Sequence, residues 1–515
     1  MSDLQQDVPR LRREFRPPAK DDEPRRYFRD PERGGALTLV SDRAVGGRPL
    51  VVDLDGTLVR SDLLIETSFS ELARRPHSVV DMTRALARGK AALKHRLSEP
   101  VDFDPAILPY DEEVLRRIHE ARAQGRRVYL ASASHERLVS AIADHLEVFD
   151  GWFATDETTN CAGAVKAQKL VAAFGERGFD YIGNDAADLA VWPHAARAIA
   201  IRASSGVARK LEGIHDDVEH LACDKPDWKC WAKQLRVHQY AKNALVFVPL
   251  LAAEQIGLLT LLQVFLAALA FSLCASGVYI LNDLLDLQDD RGHRTKRLRP
   301  LASGTIPLSQ AMLAVPVLLL VSGAIAAAVS LPFLAVLVGY FALTTAYSLY
   351  LKRKMLLDVL VLACLYTVRV IGGAVALGVS LSPWFLAFFL AWFLSLALVK
   401  RYVELAARRE AKQSDPKSRD YKNDDVDMVG ALAAAAGFNA ITIFALYASS
   451  DMAHEVYRHP ELLWLVGPVL TYWMGRTLML ARRGSVHDDP VVFALKDRVS
   501  LGSLAVVGVL MFAAM

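Results

Sequence analysis

The sequence has few cysteines and no apolar N-terminal segment. Its 515 residues include five cysteines, none in CxxC spacing, which argues against a zinc site and against a disulfide framework. Residues 1–36 are charged and proline-rich, without the apolar core of a signal peptide, and we expect them to form a disordered cytoplasmic tail. The formal net charge is only +3, and nothing in the composition suggests nucleic-acid binding.

The chain divides into a soluble part and a membrane part. Hydrophobic residues make up 53% of the sequence, which is more than a soluble enzyme of this length needs, so we expect at least two domains with one in lipid. From residue 37 to residue 203, short apolar strands near 49–54, 126–132 and 181–183 alternate with helical stretches. This alternation predicts a Rossmann-like α/β domain whose parallel sheet carries its site at the carboxyl ends of the strands.

Three further segments complete the predicted organisation. Residues 61–110 interrupt the first strand-to-helix step with helix-patterned sequence rich in Ala, Leu, Arg and Lys, which predicts a small helical cap. Residues 204–233 are polar and mixed in charge, and we expect them to form a linker. Residues 234–515 are predicted to form an all-α membrane bundle.

Nine apolar stretches support this bundle, and most are long enough for about 20 residues of spanning helix. They are centred near Val246, Leu269, Leu320, Leu337, Leu365, Ala387, Ile441, Pro468 and Val507. The loops after the second, fourth, sixth and eighth stretches are rich in Lys and Arg, whereas the intervening loops carry few cations. By the positive-inside rule, we expect about nine transmembrane helices with the basic loops and the soluble domain in the cytoplasm.

The second apolar stretch ends in a run of acidic residues, NDLLDLQDD at 282–290. On a helix, Asp283, Asp286 and Asp290 form one stripe because of their spacing. These carboxylates repel one another unless a cation neutralises them, and hard oxygen ligands favour Mg²⁺ shared with substrate phosphates. We therefore predict a pyrophosphate ester as the substrate. The alternative is a solvated acidic loop, but acids at the end of a membrane helix are costly unless they are used.

Cationic side chains follow the acidic run. Lys296 and Arg299 supply positive charge, and the turn RPLASG at 299–304 supplies backbone N–H groups, to anionic oxygens. Taken alone, these cations would only set the membrane topology. Next to the acidic run, we expect them to serve both roles.

The acidic run followed by RPLASG resembles the signature of the UbiA superfamily of intramembrane prenyltransferases, and the likeness extends from about residue 235 to the end. Within that superfamily, the sequence is similar to the decaprenyl-phosphate phosphoribosyltransferases, which transfer 5-phosphoribose from phosphoribosyl pyrophosphate to polyprenyl phosphate. Four segments carry this likeness: RVHQYAKN at 236–243, YSLYLK at 347–352 with Asp358, KRYVE at 400–404, and RRGSVHDDP at 482–490. The resemblance implies a UbiA-like fold and Mg²⁺-dependent transfer.

The resemblance also implies which residues bind substrate. Prenyltransferase members commonly have a second DxxxD box, but the equivalent stretch here offers only Asp358, which argues against a prenyl pyrophosphate donor. A phosphosugar donor adds a 5-phosphate and needs more cations, although each cation has an alternative role in setting topology. The predicted substrate-binding residues are Asn282, Lys242, Asn243, Lys296, Arg299, Tyr347, Lys352, Asp358, Arg369, Lys400, Arg401, Arg476 and Asp489, with Arg419 as a further candidate cation.

A second set of motifs lies in the soluble domain. The segment VVDLDGT is a buried strand that runs into two carboxylates, Asp53 and Asp55, which share one face of the strand. It resembles the first motif of the haloacid dehalogenase-like phosphatases. Ser132, Lys166 and the turn GNDAAD at 183–188 resemble the later motifs in order. The position of the cap is similar to that in the phosphoserine-phosphatase-like group.

This second resemblance implies a role for each of these side chains. Asp53 attacks phosphorus to form an aspartyl phosphate, and Asp55 protonates the leaving oxygen. Ser132 and Lys166 hold the transferring oxygens. Asp53 and Asp55 also bind Mg²⁺.

The acidic turn would complete the Mg²⁺ site of the soluble domain. Asn184 stands where the family usually has its first Asp of this motif. That substitution leaves Asp185 or Asp188 to bind the metal.

Together the motifs predict a bifunctional membrane enzyme. Asp283, Asp286 and Asp290 hold Mg²⁺ on the donor pyrophosphate while the lipid phosphate attacks C1, and the soluble domain then removes the 5-phosphate to give polyprenyl-phosphate ribose. One alternative is a prenyltransferase that moves a prenyl chain from prenyl pyrophosphate to an aromatic acceptor. Another is a non-catalytic membrane scaffold with a regulatory phosphate-binding domain. We expect the protein in the bacterial inner membrane, with both sites cytoplasmic.

Overall fold

A computed structural model of the protein describes residues 47–98, 103–157, 159–222, 226–252, 257–415, 419–486 and 490–515. The predicted tail, residues 1–36, and the candidate ligand Asp489 lie outside the described residues. The described chain forms an α/β domain followed by a helical domain. This arrangement confirms the multidomain prediction.

The N-terminal domain is built on a six-stranded sheet in which every described pairing is parallel, with the order β3-β2-β1-β4-β5-β6. The strands are β1 (Leu50–Asp53), β2 (Val128–His135), β3 (Gly151–Thr155), β4 (Asp180–Gly183), β5 (Arg197–Ala200) and β6 (Val218–His220). β1 is buried along its whole length and pairs with both β2 and β4. The strand order reverses at β1, so its carboxyl end lies where open parallel sheets bind ligands.

Helices separate these strands along the chain. The segment between β1 and β2 contains α1 (Leu63–Arg74), α2 (Val79–Ala87), α3 (Lys90–Ser98) and α4 (Glu112–Ala123), and later helices are α5 (Glu136–Leu146), α6 (Ala164–Phe174) and α7 (Ser205–Ile214). The helices α1 to α3 occupy the segment that the sequence predicted to be a cap. α1 begins at Leu63 because the Asp62 side chain accepts a hydrogen bond from the Ile65 N–H.

Two apolar clusters cover the two faces of the sheet. Val52 faces a cluster that includes α4 and α5, and the adjacent Val51 faces a cluster that includes α6 and α7. Successive side chains of a strand point to opposite faces. The apolar residues of β1 therefore pack against helices on both faces of the sheet, and for this reason the strand is hydrophobic at every position before Asp53.

The boundary of the soluble domain differs from the prediction. Residues 204–233 were expected to be a linker, but they contain α7 and β6, and β6 pairs with β5 through Ala198 and Val218. The polar, mixed-charge composition of this segment reflects an edge strand and a surface helix. The sheet therefore continues past residue 203, the expected end of the domain.

The C-terminal domain is helical throughout its described elements. It contains α8 (Trp228–Gln234), a 3₁₀ segment (Val237–Ala252), α9 (Leu258–Leu285), α10 (Leu287–Gly292), α11 (Leu308–Val329), α12 (Leu331–Leu349), α13 (Leu357–Leu377), α14 (Pro383–Glu410), α15 (Val426–Ala448), α16 (Asp451–Val456), α17 (Val466–Arg482), α18 (Pro490–Lys496) and α19 (Arg498–Ala514). This confirms the prediction of an all-α membrane domain.

The number of spanning helices is smaller than predicted. In the described parts of the chain, six helices are long and apolar enough to cross a membrane, or up to seven if α18 and α19, bent by 81°, count as one. The first predicted span is a 3₁₀ segment with Pro249 inside it, and α17 has only 17 residues. The expected count of nine is therefore not confirmed, because hydropathy does not detect such interruptions.

Polar side chains at several helix ends of this domain contact one another. Asp286, at the end of α9, contacts Lys352, which follows α12. Tyr421, which precedes α15, donates a hydrogen bond to Asp358 at the start of α13. Two of the basic loops identified in the sequence, those that contain Lys352 and Arg419, therefore contact acidic side chains.

Candidate active sites

Asp53 lies at the end of β1 in a buried ion pair. Its Oδ1 accepts a hydrogen bond from Lys166 Nζ at 2.6 Å, and its Oδ2 accepts one from Thr57 Oγ1 at 3.1 Å. Lys166 also donates to the Tyr181 hydroxyl at 3.0 Å. Burial raises the pKa of Asp53 to about 7, and the Lys166 ammonium opposes that rise.

Asp55 is held by two different elements. Its Oδ2 accepts hydrogen bonds from Ser132 Oγ at 3.2 Å and Ser134 Oγ at 2.7 Å, both on β2. Its Oδ1 accepts one from the backbone N–H of Leu63 at 2.8 Å, the first residue of α1. The carboxylate is therefore oriented jointly by the sheet and by the first cap helix.

The acidic turn places its two carboxylates differently. Asp188 is buried and accepts hydrogen bonds from the backbone N–H groups of Asn184 and Asp185 and from the Tyr181 hydroxyl. Asp185 is exposed, and its carboxylate accepts a hydrogen bond from the Ala186 N–H at 2.6 Å. Of the two alternatives that the sequence left open, Asp188 is the one that lies near Lys166, at 3.6 Å.

Asn184 packs directly against the loop that follows β1. A Cβ at Gly56, where φ is +76°, would lie 2.1 Å from Asn184 Nδ2, so this position requires glycine for both space and conformation. Asn184 Oδ1 is buried and has no hydrogen-bond partner among the described residues. An orphaned hard oxygen at this position suits a Mg²⁺ ligand.

The first acidic cluster of the membrane domain surrounds Asp283. Its carboxylate accepts hydrogen bonds from Gln234 Nε2 at 2.9 Å, Arg236 Nη2 at 2.6 Å and Arg299 Nη1 at 3.1 Å. The Arg299 guanidinium also binds Asp290 Oδ2 at 2.5 Å. Arg299 thus joins two carboxylates that are separated along the chain, and Arg236 provides a second cation.

Asp290 has one oxygen available. Its Oδ1 is buried, without a hydrogen-bond partner among the described residues, and the Lys296 ammonium lies 3.6 Å from it. This oxygen again fits a hard cation or a cation-bound phosphate. Within the described ranges, however, no group of three or more His, Cys, Asp and Glu side chains is arranged to hold a metal. The carboxylates of Asp283 and Asp290 are paired with Arg299 instead.

The acidic run is not one continuous helix. α9 ends at Leu285, and Asp286 adopts a non-helical conformation before α10 begins at Leu287. Asp286 consequently contacts Lys352 at 3.0 Å and Asn282 at 3.0 Å rather than the arginines. The predicted single stripe is therefore divided into two groups.

A second acidic cluster is centred on the fully buried Asp358. Its Oδ2 binds Arg401 at 2.6 Å and Arg419 at 3.2 Å, and its Oδ1 accepts a hydrogen bond from the Tyr421 hydroxyl at 2.6 Å. Tyr347 is partly buried and packs against the apolar cluster that includes Leu337 and Val361, next to this site. Lys400 and Arg419 line one cavity. Asp358 and Arg401 satisfy each other, so their first role in this structure is to hold α13, α14 and the loop before α15 together.

Replacing Arg401 with glutamine is therefore expected to destabilise the protein. The change leaves a buried carboxylate without its main partner, which costs about 3–5 kcal/mol of unfolding free energy. The melting temperature of the detergent-solubilised protein should fall clearly. Arg409 is the matched control on the same helix, because it pairs with the exposed Asp427 at 3.1 Å, and Arg409→Gln should change little. An unchanged melting temperature for Arg401→Gln would contradict the structural role.

Two further cations lie within the helix bundle. Arg369 is buried on α13 and donates hydrogen bonds to Asn243 Oδ1 and the Tyr340 hydroxyl, both at 2.8 Å. The Lys242 ammonium lies 5.8 Å from the centre of the Tyr366 ring. Cations at this position are costly unless they are used, and both residues were predicted from the sequence to bind substrate.

Arg476 is placed apart from the acidic clusters. Its guanidinium binds Asp497 at 2.7 and 3.2 Å, and Asp497 also caps α19 through Ser500. This ion pair joins α17 to the start of α19, which gives Arg476 a structural role in the bundle.

Several contacts were not singled out from the sequence. Two of them join residues that are distant in sequence: Gln234 contacts Asp283, and Tyr181 contacts Lys166. The third is made by Ser134, which lies two positions after the motif residue Ser132 and contacts Asp55. Arg236 and Tyr421 complete the acidic clusters of the membrane domain. Arg236 lay in a segment that carried the family resemblance, whereas Tyr421 gave no signal because its partner is 63 positions away.

The architecture is that of a membrane transferase joined to an α/β hydrolase domain. Residues 244–496 match the model of the UbiA prenyltransferase family, and residues 50–191 match that of the haloacid dehalogenase-like hydrolases. The chain belongs to the UbiA family and carries an N-terminal haloacid dehalogenase-like domain. Both predicted resemblances are confirmed.

Three curated relatives illustrate the match. The chain is 36% identical over 455 residues to "Uncharacterized protein y4nM" of Sinorhizobium fredii, which covers 88% of each chain and includes parts of both domains. It is 32% identical over 274 residues to "Nodulation protein NoeC" of Azorhizobium caulinodans, covering 53% of this chain and 88% of that one. It is 36% identical over 292 residues to "Decaprenyl-phosphate phosphoribosyltransferase" of Mycobacterium tuberculosis, covering 54% and 92%.

Proposed function

We propose that the membrane domain transfers 5-phosphoribose from phosphoribosyl pyrophosphate to a polyprenyl phosphate, and that the soluble domain then removes the 5-phosphate. The observation that carries the proposal is the cluster of Asp283 and Asp290 with Arg236 and Arg299. It is supported by the 36% identity to a decaprenyl-phosphate phosphoribosyltransferase, which extends over 92% of the length of that relative. We place both sites on the cytoplasmic side of a bacterial inner membrane, in accord with the basic loops.

The residues of the first site suit a pyrophosphate leaving group. Arg236 and Arg299 supply positive charge at Asp283, and Lys352 supplies it at Asp286. Asp283, Asp286 and Asp290 would hold Mg²⁺, which supplies charge neutralisation for pyrophosphate departure. The arginines would exchange part of their carboxylate contacts for donor phosphate oxygens.

The acceptor then requires only positioning. A lipid phosphate oxygen forms a bond to C1 as the bond from C1 to the pyrophosphate oxygen breaks, so no proton is transferred. Arg369 and Lys242 lie within the bundle, and in this proposal they would orient the lipid phosphate. Arg419, which pairs with Asp358, and Lys400, which lines the same cavity as Arg419, are candidates for the 5-phosphate.

The second site suits phosphate ester hydrolysis. Asp53 attacks phosphorus and forms an aspartyl phosphate as the bond to the sugar oxygen breaks, and Asp55 gives that oxygen its proton. Lys166 and Ser132 bind the transferring phosphoryl oxygens. Water then cleaves the aspartyl phosphate, with Asp55 acting as the base.

The experiment is to incubate the purified protein in detergent with Mg²⁺, phosphoribosyl pyrophosphate labelled in its ribose, and a polyprenyl phosphate. Label should enter the lipid phase as ribose without its 5-phosphate. If no label reaches the lipid but a prenyl pyrophosphate labels an aromatic acceptor, the donor assignment is wrong. If neither donor is used, the enzymatic proposal for the membrane domain fails.

Chelation of divalent cations is expected to abolish both steps. Asn184 Oδ1 and Asp290 Oδ1 are buried oxygens without hydrogen-bond partners among the described residues, and both suit a hard cation. Activity measured in EDTA should fall to background for each domain and return with added Mg²⁺. Full activity of either domain in EDTA would contradict a metal requirement there.

A further inference from the structure

A single arginine of the transferase is buried in the phosphatase cap. Arg291 lies on α10, next to Asp290, and its side chain is 2% exposed. Its Nη1 is paired with Glu66 of α1, and its Nη2 donates a hydrogen bond to Ser61 Oγ at 3.1 Å. Ser61 Oγ in turn donates to Glu66 Oε2 at 2.8 Å. The third guanidinium contact, from Nε, is to the Ala302 carbonyl oxygen at 3.0 Å.

Close packing surrounds this ion pair. Ile65 and Phe69 of α1 pack on an apolar cluster of the membrane domain that includes Leu284 and Leu301. Gly304 has a φ of +70°, and a Cβ there would lie 2.3 Å from the Arg60 carbonyl oxygen. The transferase therefore contacts the soluble domain in two places: at Arg60, between β1 and α1, and along α1 itself.

The same helix holds the phosphatase carboxylate. The N–H of Leu63, at the start of α1, donates the 2.8 Å hydrogen bond to Asp55 Oδ1. Glu66 lies one turn further along, so the interdomain ion pair and the Asp55 contact are made by one rigid element. A displacement of α1 away from Arg291 would move the donor to Asp55 with it.

We infer that Arg291 is a positioning residue for the phosphatase site: through Glu66 and Ser61 it fixes α1, and α1 fixes Asp55. The inference rests on the proposed phosphatase activity only for its kinetic consequence, since the contact itself is independent of substrate. It further implies that the phosphatase domain is fully active only when docked on the Asp-rich segment of the transferase. A lipid-linked product would then meet an ordered second site.

The test combines hydrogen exchange with kinetics on the full-length protein in detergent. The variants are Arg291→Gln, Glu66→Gln and the double variant, and the control is Arg116→Gln. Arg116 forms its ion pairs with Glu113 and Glu120 on the surface of α4. Removing one partner leaves a buried charge uncompensated, whereas removing both does not. The double variant should therefore be less affected than the single variants.

In each single variant we expect amide exchange in peptides covering residues 56–66 to accelerate about tenfold or more. With p-nitrophenyl phosphate as substrate, kcat should fall about 10–100-fold with KM nearly unchanged, because Asp55 is misplaced while the phosphate contacts are kept. Arg116→Gln should match the wild type in both measurements.

Unchanged exchange in residues 56–66 for both single variants would overturn the inference, whatever the activity. Faster exchange with unchanged kcat would overturn the positioning role, since α1 would move without consequence. Failure of the wild type to dephosphorylate a lipid-linked sugar would instead count against the proposed function, and the exchange result would stand.

Discussion

Replacing Asp283 with asparagine is expected to lower the rate of transfer to lipid by about 10²–10³-fold or more. Asp283 is buried where Gln234, Arg236 and Arg299 meet. Asparagine keeps the shape of the side chain but removes the charge that balances two arginines and that would bind a cation on the donor pyrophosphate. The measurement is the initial rate of label transfer from phosphoribosyl pyrophosphate to polyprenyl phosphate.

Asp289 provides the matched control for this variant. It lies in the same acidic run, but its side chain is exposed, so Asp289→Asn should keep nearly the wild-type rate. A melting temperature close to that of the wild type would exclude unfolding as the cause of the loss in Asp283→Asn. If Asp283→Asn transferred label at the wild-type rate, a scaffold role for the acidic run would be the better explanation.

Replacing Asp53 with asparagine is expected to abolish removal of the 5-phosphate, with a loss of at least about 10⁴-fold in kcat. The variant lacks the carboxylate that we propose to attack phosphorus, and Lys166 loses its 2.6 Å partner. Transfer to lipid should continue, because Asp53 belongs to the other domain. The lipid product should therefore accumulate with its 5-phosphate, as measured by mass spectrometry of the lipid extract.

Asp144→Asn is a suitable control, because Asp144 is an exposed residue of α5 in the same domain. Its product should lack the 5-phosphate, like that of the wild type. If the Asp53→Asn variant gave a product without the 5-phosphate, the soluble domain would not be the part of the protein that removes it. A product that retains the 5-phosphate even in the wild type would mean that the second step is not carried out by this protein.

The strands that were predicted from the sequence are those at the centre of the sheet. β1, β2 and β4 are buried on both faces, so their apolar runs are distinct in the sequence. β6 is short and only partly buried, with a glutamate and a histidine among its three residues. It resembled a linker because an edge strand derives its structure from hydrogen bonds with a neighbour rather than from its own composition.

The interruption of the helix in the acidic run was not predicted from the local sequence. The spacing of Asp283, Asp286 and Asp290 predicted one stripe, on the assumption of a continuous helix. The break at Asp286 directs its carboxylate to Lys352, 66 positions away, while the other two meet at Arg299. Repeated apolar residues showed where a helix lies, but they did not show where it is interrupted.

By itself, the sequence determined the two domains, the parallel sheet, the helical membrane part and the identity of the main acidic and basic side chains. These features depend on local periodicity and on motifs within short segments. Only the tertiary structure decided which cation meets which carboxylate, that Asp358 and Arg401 satisfy each other, and that Arg291 is buried against Glu66, 225 positions away. Such pairs are selected by the packing of whole elements, because a buried charge must find its partner wherever the fold brings one within reach.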